Sequence, residues 1–130
     1  MHKVLLSIIF ALICVCTSAE SSEVRDVSMI QLIANPQQYD GTSIRLMAFL
    51  NLEFEGNALY LHREDFEKSL PSNAIWISLT DQQARTSARF SKGYVLVEGV
   101  FSAKDRGHMG MFAGSIQKIT RIQSWERRRK

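Results

Sequence analysis

The chain has 130 residues, 45% of them hydrophobic and 22% charged, with three His and two Cys. That is one domain's length, too apolar for a disordered chain and too poor in His and Cys for a metal cluster or a disulfide framework. The formal charge of +3 is uneven. Setting aside Lys3 and the run Arg127-Arg128-Arg129-Lys130 leaves 11 basic residues against 13 acidic ones, a net −2. The basic pI is therefore a property of one short run. This argues against a nucleic-acid binder, which carries positive charge on its docking face.

The first twenty residues read as a secretory signal. Met1-His2-Lys3 is a positive head, and Val4 to Val15 is an apolar run broken only by Ser7. Cys16-Thr17-Ser18-Ala19 supplies the small residues of a cleavage site. Cleavage after Ala19 is expected, dividing the chain into a signal peptide at 1–19, a domain at 20–126 and a basic tail at 127–130. The apolar run is too short to span a membrane, which takes roughly 20 residues. Ile13 and Val15 precede the two Cys, where lipidation needs a small residue. The remaining 111 residues contain no Cys, so stability must come from a packed core. A Cys-free exported domain suits a bacterial envelope, periplasmic or secreted, better than a disulfide-stapled toxin. The tail offers a weak contact with an anionic membrane surface.

From Ser21 to Arg25 the chain is a polar lead-in. Val27 to Ile33 reads as a short helix, with Ser28 as N-cap and Met29, Leu32 and Ile33 at helical spacing. Asn35-Pro36 ends it, because the residue before proline is pushed out of the helical region. Asp40-Gly41 is a turn. The period then becomes two: Ile44, Leu46, Ala48, Leu50 and Leu52 alternate with Arg45, Met47, Phe49 and Asn51 in a long first strand. Glu55-Gly56-Asn57 turns into a second strand, Ala58 to His62. Arg63 to Leu70 is polar with a possible helical turn, closed by Pro71-Ser72-Asn73. The third strand is Ala74 to Leu79. Thr80 or Asp81 caps a short helix running to Arg89. Tyr94 to Phe101 is the fourth strand, Lys104 to Gly107 a turn, and Met109 to Ile122 the fifth strand, with Gly110 and Gly114 allowing the bends that close a barrel.

A mainly β chain of five strands, with a short N-terminal helix and a second helix between strands three and four, has the order of a small OB-fold-like barrel. An SH3-like barrel lacks that helix, and a sandwich needs more strands. The segment Asn35-Pro36-x-x-Tyr39-x-Gly41 before an alternating strand is common in OB-like domains. More specifically, the chain resembles a family of small uncharacterised exported bacterial proteins. The resemblance rests on Leu52 to Leu61, Arg63-Glu64-Asp65-Phe66-Glu67, Asn73-Ala74-Ile75-Trp76 and Gly107-His108-Met109-Gly110-Met111-Phe112. It implies an OB-like fold and export, and no particular activity.

Chemistry-bearing groups are sparse. His62, Glu64 and Asp65, with His108 brought near by folding, could ligate a metal, but their spacing matches no metal signature. The alternative is a strand end followed by a capped helical turn with acids at its N-terminus. Gly107-His108-Met109-Gly110 lacks the length and Lys of a phosphate loop. No Cys remains after cleavage, and no Ser sits in a nucleophile elbow. The sequence therefore predicts a protein that is not an enzyme and needs no cofactor or metal.

The candidate binding group is the face carrying Tyr60 and Trp76, out of phase with the aliphatic positions, together with His62. In an OB barrel this face and the loops joining strands one-two and four-five bind ligands. Those loops are Glu53 to Asn57 and Ala103 to His108, so Lys104, Arg106 and His108 complete the candidate set, opposed by Glu53 and Glu55. The alternative is that Tyr60 and Trp76 cover an apolar edge, for instance under the N-terminal helix. The sequence thus points to an exported binding or interaction module for a sugar, a peptide or an envelope protein. A metal protein or hydrolase centred on His62 and His108, and single-stranded nucleic-acid binding, are the competing readings.

Overall fold

The computed structural model describes residues 22–126. The expected signal peptide and basic tail lie outside the described residues. The lead-in holds a two-residue strand, β1 (Arg25–Asp26), that the sequence does not signal. It runs parallel to the start of β2 (Ser43–Asn51), pairing Arg25 with Ile44 and Asp26 with Arg45. Between them lies α1 (Met29–Ala34), capped as expected: Gln31 N donates to Ser28 Oγ and Ser28 N to Gln31 Oε1. Met29 and Leu32 insert into the barrel core. Asn35-Pro36 ends α1, and a 3-10 turn over Pro36–Tyr39 leads to β2.

β2 is the central strand. It pairs antiparallel with β3 (Ala58–Tyr60) through residues 49–51, and with β5 (Gly93–Ser102) along 43–50. β3 pairs antiparallel with β4 (Ala74–Ile77), β4 parallel with β6 (Ser115–Ser124), and β6 antiparallel with β5. The sheet closes through the β2–β5 pairing, giving a five-stranded mixed barrel with β1 as an added edge. α2 (Arg63–Glu67) follows β3, and α3 (Asp81–Ser87) joins β4 to β5, ending in a 3-10 turn over Ala88–Phe90. The closed order, with a helix between the third and fourth barrel strands, is that of a small OB-like barrel.

The inner face is the aliphatic set the alternation predicts: Ile44, Leu46, Ala48 and Leu50 of β2 with Leu59, Ile75, Ile77, Val95, Val97 and Ile116. Leu52 lies beyond β2 and is only partly buried. Three strands are shorter or later than expected. The second stops at Tyr60 because Leu61 N turns to Asn73 O, and the third stops at Ile77. The fifth begins at Ser115 and not Met109, because residues 108–110 form a 3-10 turn, with positive φ at Gly107, Met109 and Gly110. Gly110 and Gly114 are therefore not bends within the strand. The irregularity sits further on, where the β5–β6 register shifts between Glu98 and Val100. Gly99 is required there, since a Cβ would stand 2.7 Å from Gln117 O.

Candidate ligand face and loop tips

Tyr60 and Trp76 do share the outer face of β3 and β4, with Ala58 and Ala74 between them in the register. The face is not open. Phe49, Ala58, Tyr60, Ala74 and Phe112 are all buried and form a second apolar cluster outside the barrel, with Phe66, Trp76 and Tyr94 packed against it. The expectation of an exposed aromatic platform is corrected for Tyr60, and the cover is not the N-terminal helix. Phe66 of α2 stands edge-on to Tyr60 at 5.5 Å and 5.9 Å from Phe49. Phe112 lies 5.5 Å from Trp76. The backbone at Gly107 runs so close over Trp76 that a Cβ there would approach the Trp76 side chain to 2.6 Å. Burial lifts the Tyr60 phenol above its usual range, with the Glu53 charge adding to it. Aromatic pairs of this geometry contribute about 0.5–1.5 kcal/mol each beyond area burial.

Cations close the rim of this cluster. The Arg63 guanidinium sits 5.1 Å from the Phe49 ring centre and Lys92 Nζ 3.6 Å from that of Phe66. Lys92 Nζ also donates to Oδ1 of Asn51, which is fully buried, and Asn51 Nδ2 donates to Gly56 O at 3.2 Å. One buried amide thus ties the 52–57 loop to the strand beneath it.

The remaining candidates divide by position. His62 is exposed at the start of α2. Its N–H donates to Asp65 Oδ2 at 2.9 Å, and its Nδ1 lies 3.6 Å from the same oxygen. This is the capped turn, not a ligand cluster. Lys104 is exposed. Arg106 does not offer its Nε to a rim, because Nε donates to Phe112 O at 2.7 Å and holds the 103–112 loop closed. His108 Nε2 approaches Glu55 Oε2 at 3.8 Å, bringing together the two loops that the OB reading assigned to ligand binding. The two histidines face different carboxylates. Among the described residues no group of three or more His, Cys, Asp and Glu is placed to hold a metal.

The loop carrying His108 is held from below by Asp105. Its carboxylate accepts from Gly107 N at 3.0 Å, Ser115 Oγ at 3.0 Å and Gln117 Nε2 at 2.7 Å. The Gly107 amide, then the Ser115 and Gln117 donors, hold the carboxyl below its ordinary range against the opposing effect of burial. This rigid base presents two apolar tips. Phe54 is 91% exposed and Met109 81%, with Met111 also exposed beside Met109. Glu55 and Met109 both adopt positive φ, 54° and 53°, which non-glycine residues rarely take. The sequence reading passed over Phe54 and Met109. Their signal was an apolar residue set among turn-forming neighbours, Glu53-Phe54-Glu55-Gly56 and His108-Met109-Gly110.

Fold and site define the chain as a small OB-like barrel whose outer aromatic face is largely covered by its own side chains and whose 52–57 and 103–112 loops carry exposed apolar tips. Comparison with family models, with curated proteins and with solved structures found no match.

Proposed function

We propose that the protein is an exported, non-catalytic interaction module that takes an envelope protein or peptide on the tips of its 52–57 and 103–112 loops. The observation that carries this reading is the joint exposure of Phe54 and Met109 on two loops drawn together at His108 and Glu55. Exposed large apolar side chains contribute little to folding, and the rare backbone conformation of Met109 and of Glu55 beside Phe54 is of the kind that clusters where ligands are clamped. The burial of Tyr60 and the partial cover of Trp76 leave little stacking surface for sugars or bases, which favours a protein partner over either. The negative balance of the chain body speaks further against nucleic acid. The signal-like composition of the first nineteen residues supports an encounter outside the cytoplasm.

The test is site-specific photo-crosslinking in exporting cells. A crosslinker at position 54 or 109 should capture one discrete partner, absent when it is placed at Arg85 on α3. Phe54→Asp should abolish capture from position 109 while leaving the melting temperature unchanged. Capture that is identical from all three positions, or absent from both tips, would overturn the reading. Intact mass of the exported protein checks the expected loss of residues 1–19.

A further inference from the structure

Two of the chain's five methionines, Met109 and Met111, stand with His108 in four consecutive residues. The segment is a tight turn. Met109 and Gly110 both have positive φ, 53° and 66°, and Met111 N donates to His108 O at 3.3 Å. A turn of this kind brings its first and fourth residues within about 7 Å, so the side chains of His108 and Met111 start from neighbouring points, with Met109 at the tip between them. The base of the turn is fixed by the Asp105 carboxylate through Gly107 N, Ser115 Oγ and Gln117 Nε2. Packing does not account for the two sulfurs. Met29 is a core residue at 2% exposure, whereas Met109 is 81% exposed and Met111 45%. The imidazole beside them is oriented from one side. His108 Nε2 faces Glu55 Oε2 at 3.8 Å, and Nδ1 has no hydrogen-bond partner among the described residues. A metal-bound imidazole characteristically turns its other nitrogen to a carboxylate in this way.

We infer that His108 and the thioether sulfurs of Met109 and Met111 form a binding site for a soft monovalent cation, Cu(I). Thioether sulfur is a soft ligand that suits Cu(I), and imidazole suits copper as well. Zn(II) is held by Cys, His and carboxylate, and among the described residues no three such groups are gathered. The methionine side chain is unbranched, with three rotatable bonds, so each sulfur can close on an ion without moving the backbone that Asp105 holds. The Glu55 carboxylate fixes the imidazole and offsets the charge the ion adds.

The test is titration of Cu(I), kept reduced with ascorbate under argon, into the full chain carrying Cys14→Ser and Cys16→Ser, so that no thiol competes. The chain should withdraw a single Cu(I) from the chromophoric chelator bicinchoninate, and its melting temperature should rise, as binding to the folded state requires. Losing even an outer partner of a metal ligand costs about 10–100-fold in affinity. His108→Gln, and Met109→Leu combined with Met111→Leu, should therefore each weaken uptake by at least about tenfold. Leu matches Met in volume and both sulfurs are exposed, so the metal-free melting temperature of the double variant should stay unchanged. Zn(II) at the same concentration should not bind. X-ray absorption of the copper-loaded chain should show sulfur and nitrogen neighbours together. The inference is overturned by absence of uptake, by uptake that ignores the loss of both sulfurs, by Zn(II) held as firmly as Cu(I), or by copper surrounded by nitrogen and oxygen alone. None of these outcomes bears on the partner reading, because the titration uses no second protein and capture at position 54 needs no metal.

Discussion

Two outward-facing apolar regions of the same barrel have opposite fates. On β2, Phe49 and Met47 are two residues apart and point the same way from the barrel. Phe49 is buried under Phe66 and Tyr94, whereas Met47 is half exposed in an open groove. The difference lies in the connections and not in the strand. After β3 the chain returns as α2 and sets Phe66 on the face. After β5 it returns as the 103–112 loop and sets Gly107 and Phe112 over Trp76. No connection among the described residues crosses over Met47. An outward apolar residue on a small barrel is thus either core or surface according to where the next loop travels.

The comparison breaks most visibly at Phe49. Phe49→Ala should destabilise by about 3–5 kcal/mol, the range for a truncated core aromatic, read in a urea melt. A loss under about 1 kcal/mol would mean the outer cluster is not a second core. Removing the support of the roof loop comes next. Asp105→Ala should cost about 1.5–3 kcal/mol at neutral pH, because three donors lose a charged acceptor. The Asp105 carboxyl is held below its ordinary range in the folded state, so its contribution is present above the unfolded value and disappears as pH falls through the folded one. The gap in stability between native protein and variant should therefore close in acid, and a gap independent of pH would show that the charge is not what matters.

Gly107→Ala isolates the contact between roof and face. Its φ of 65° and the overlap with Trp76 should together cost about 1–3 kcal/mol. In a Trp125→Phe background, where Trp76 is the remaining tryptophan, the near-ultraviolet circular dichroism should change along with the melt. An unchanged spectrum would show that the loop does not rest on Trp76. The smallest effect belongs to the groove: Met47→Ser and Ile30→Ser should each stay within about 0.5 kcal/mol, as substitutions of exposed residues do. A larger loss at Met47 would mean that this region too is roofed.

Much of the barrel was legible because its signals are local. The period-two pattern from Ile44 to Leu50 marks the inner face, Ser28 and Thr80 are side-chain caps, and Asn35-Pro36 stops a helix, all within a few residues. β1 was not legible, since two exposed residues carry no period, and its strand exists only through pairing with β2. Met109 to Gly114 read as strand because its apolar residues fit the pattern, while the 3-10 turn that takes its place at 108–110 has no signature at Met109 itself.

The candidate site divides in the same way. The sequence by itself determined that Tyr60 and Trp76 share a face, because alternation and the pairing of neighbouring strands require it. It also determined that the 53–57 and 103–108 loops belong to one end of the barrel, where His108 meets Glu55. Only the tertiary structure decided that Tyr60 is core, that Arg106 closes its own loop, and that Phe54, Met109, Met47 and Trp125 remain outside. Burial of an outward side chain depends on the path of chain distant in sequence, and no local pattern of polar and apolar residues encodes that path.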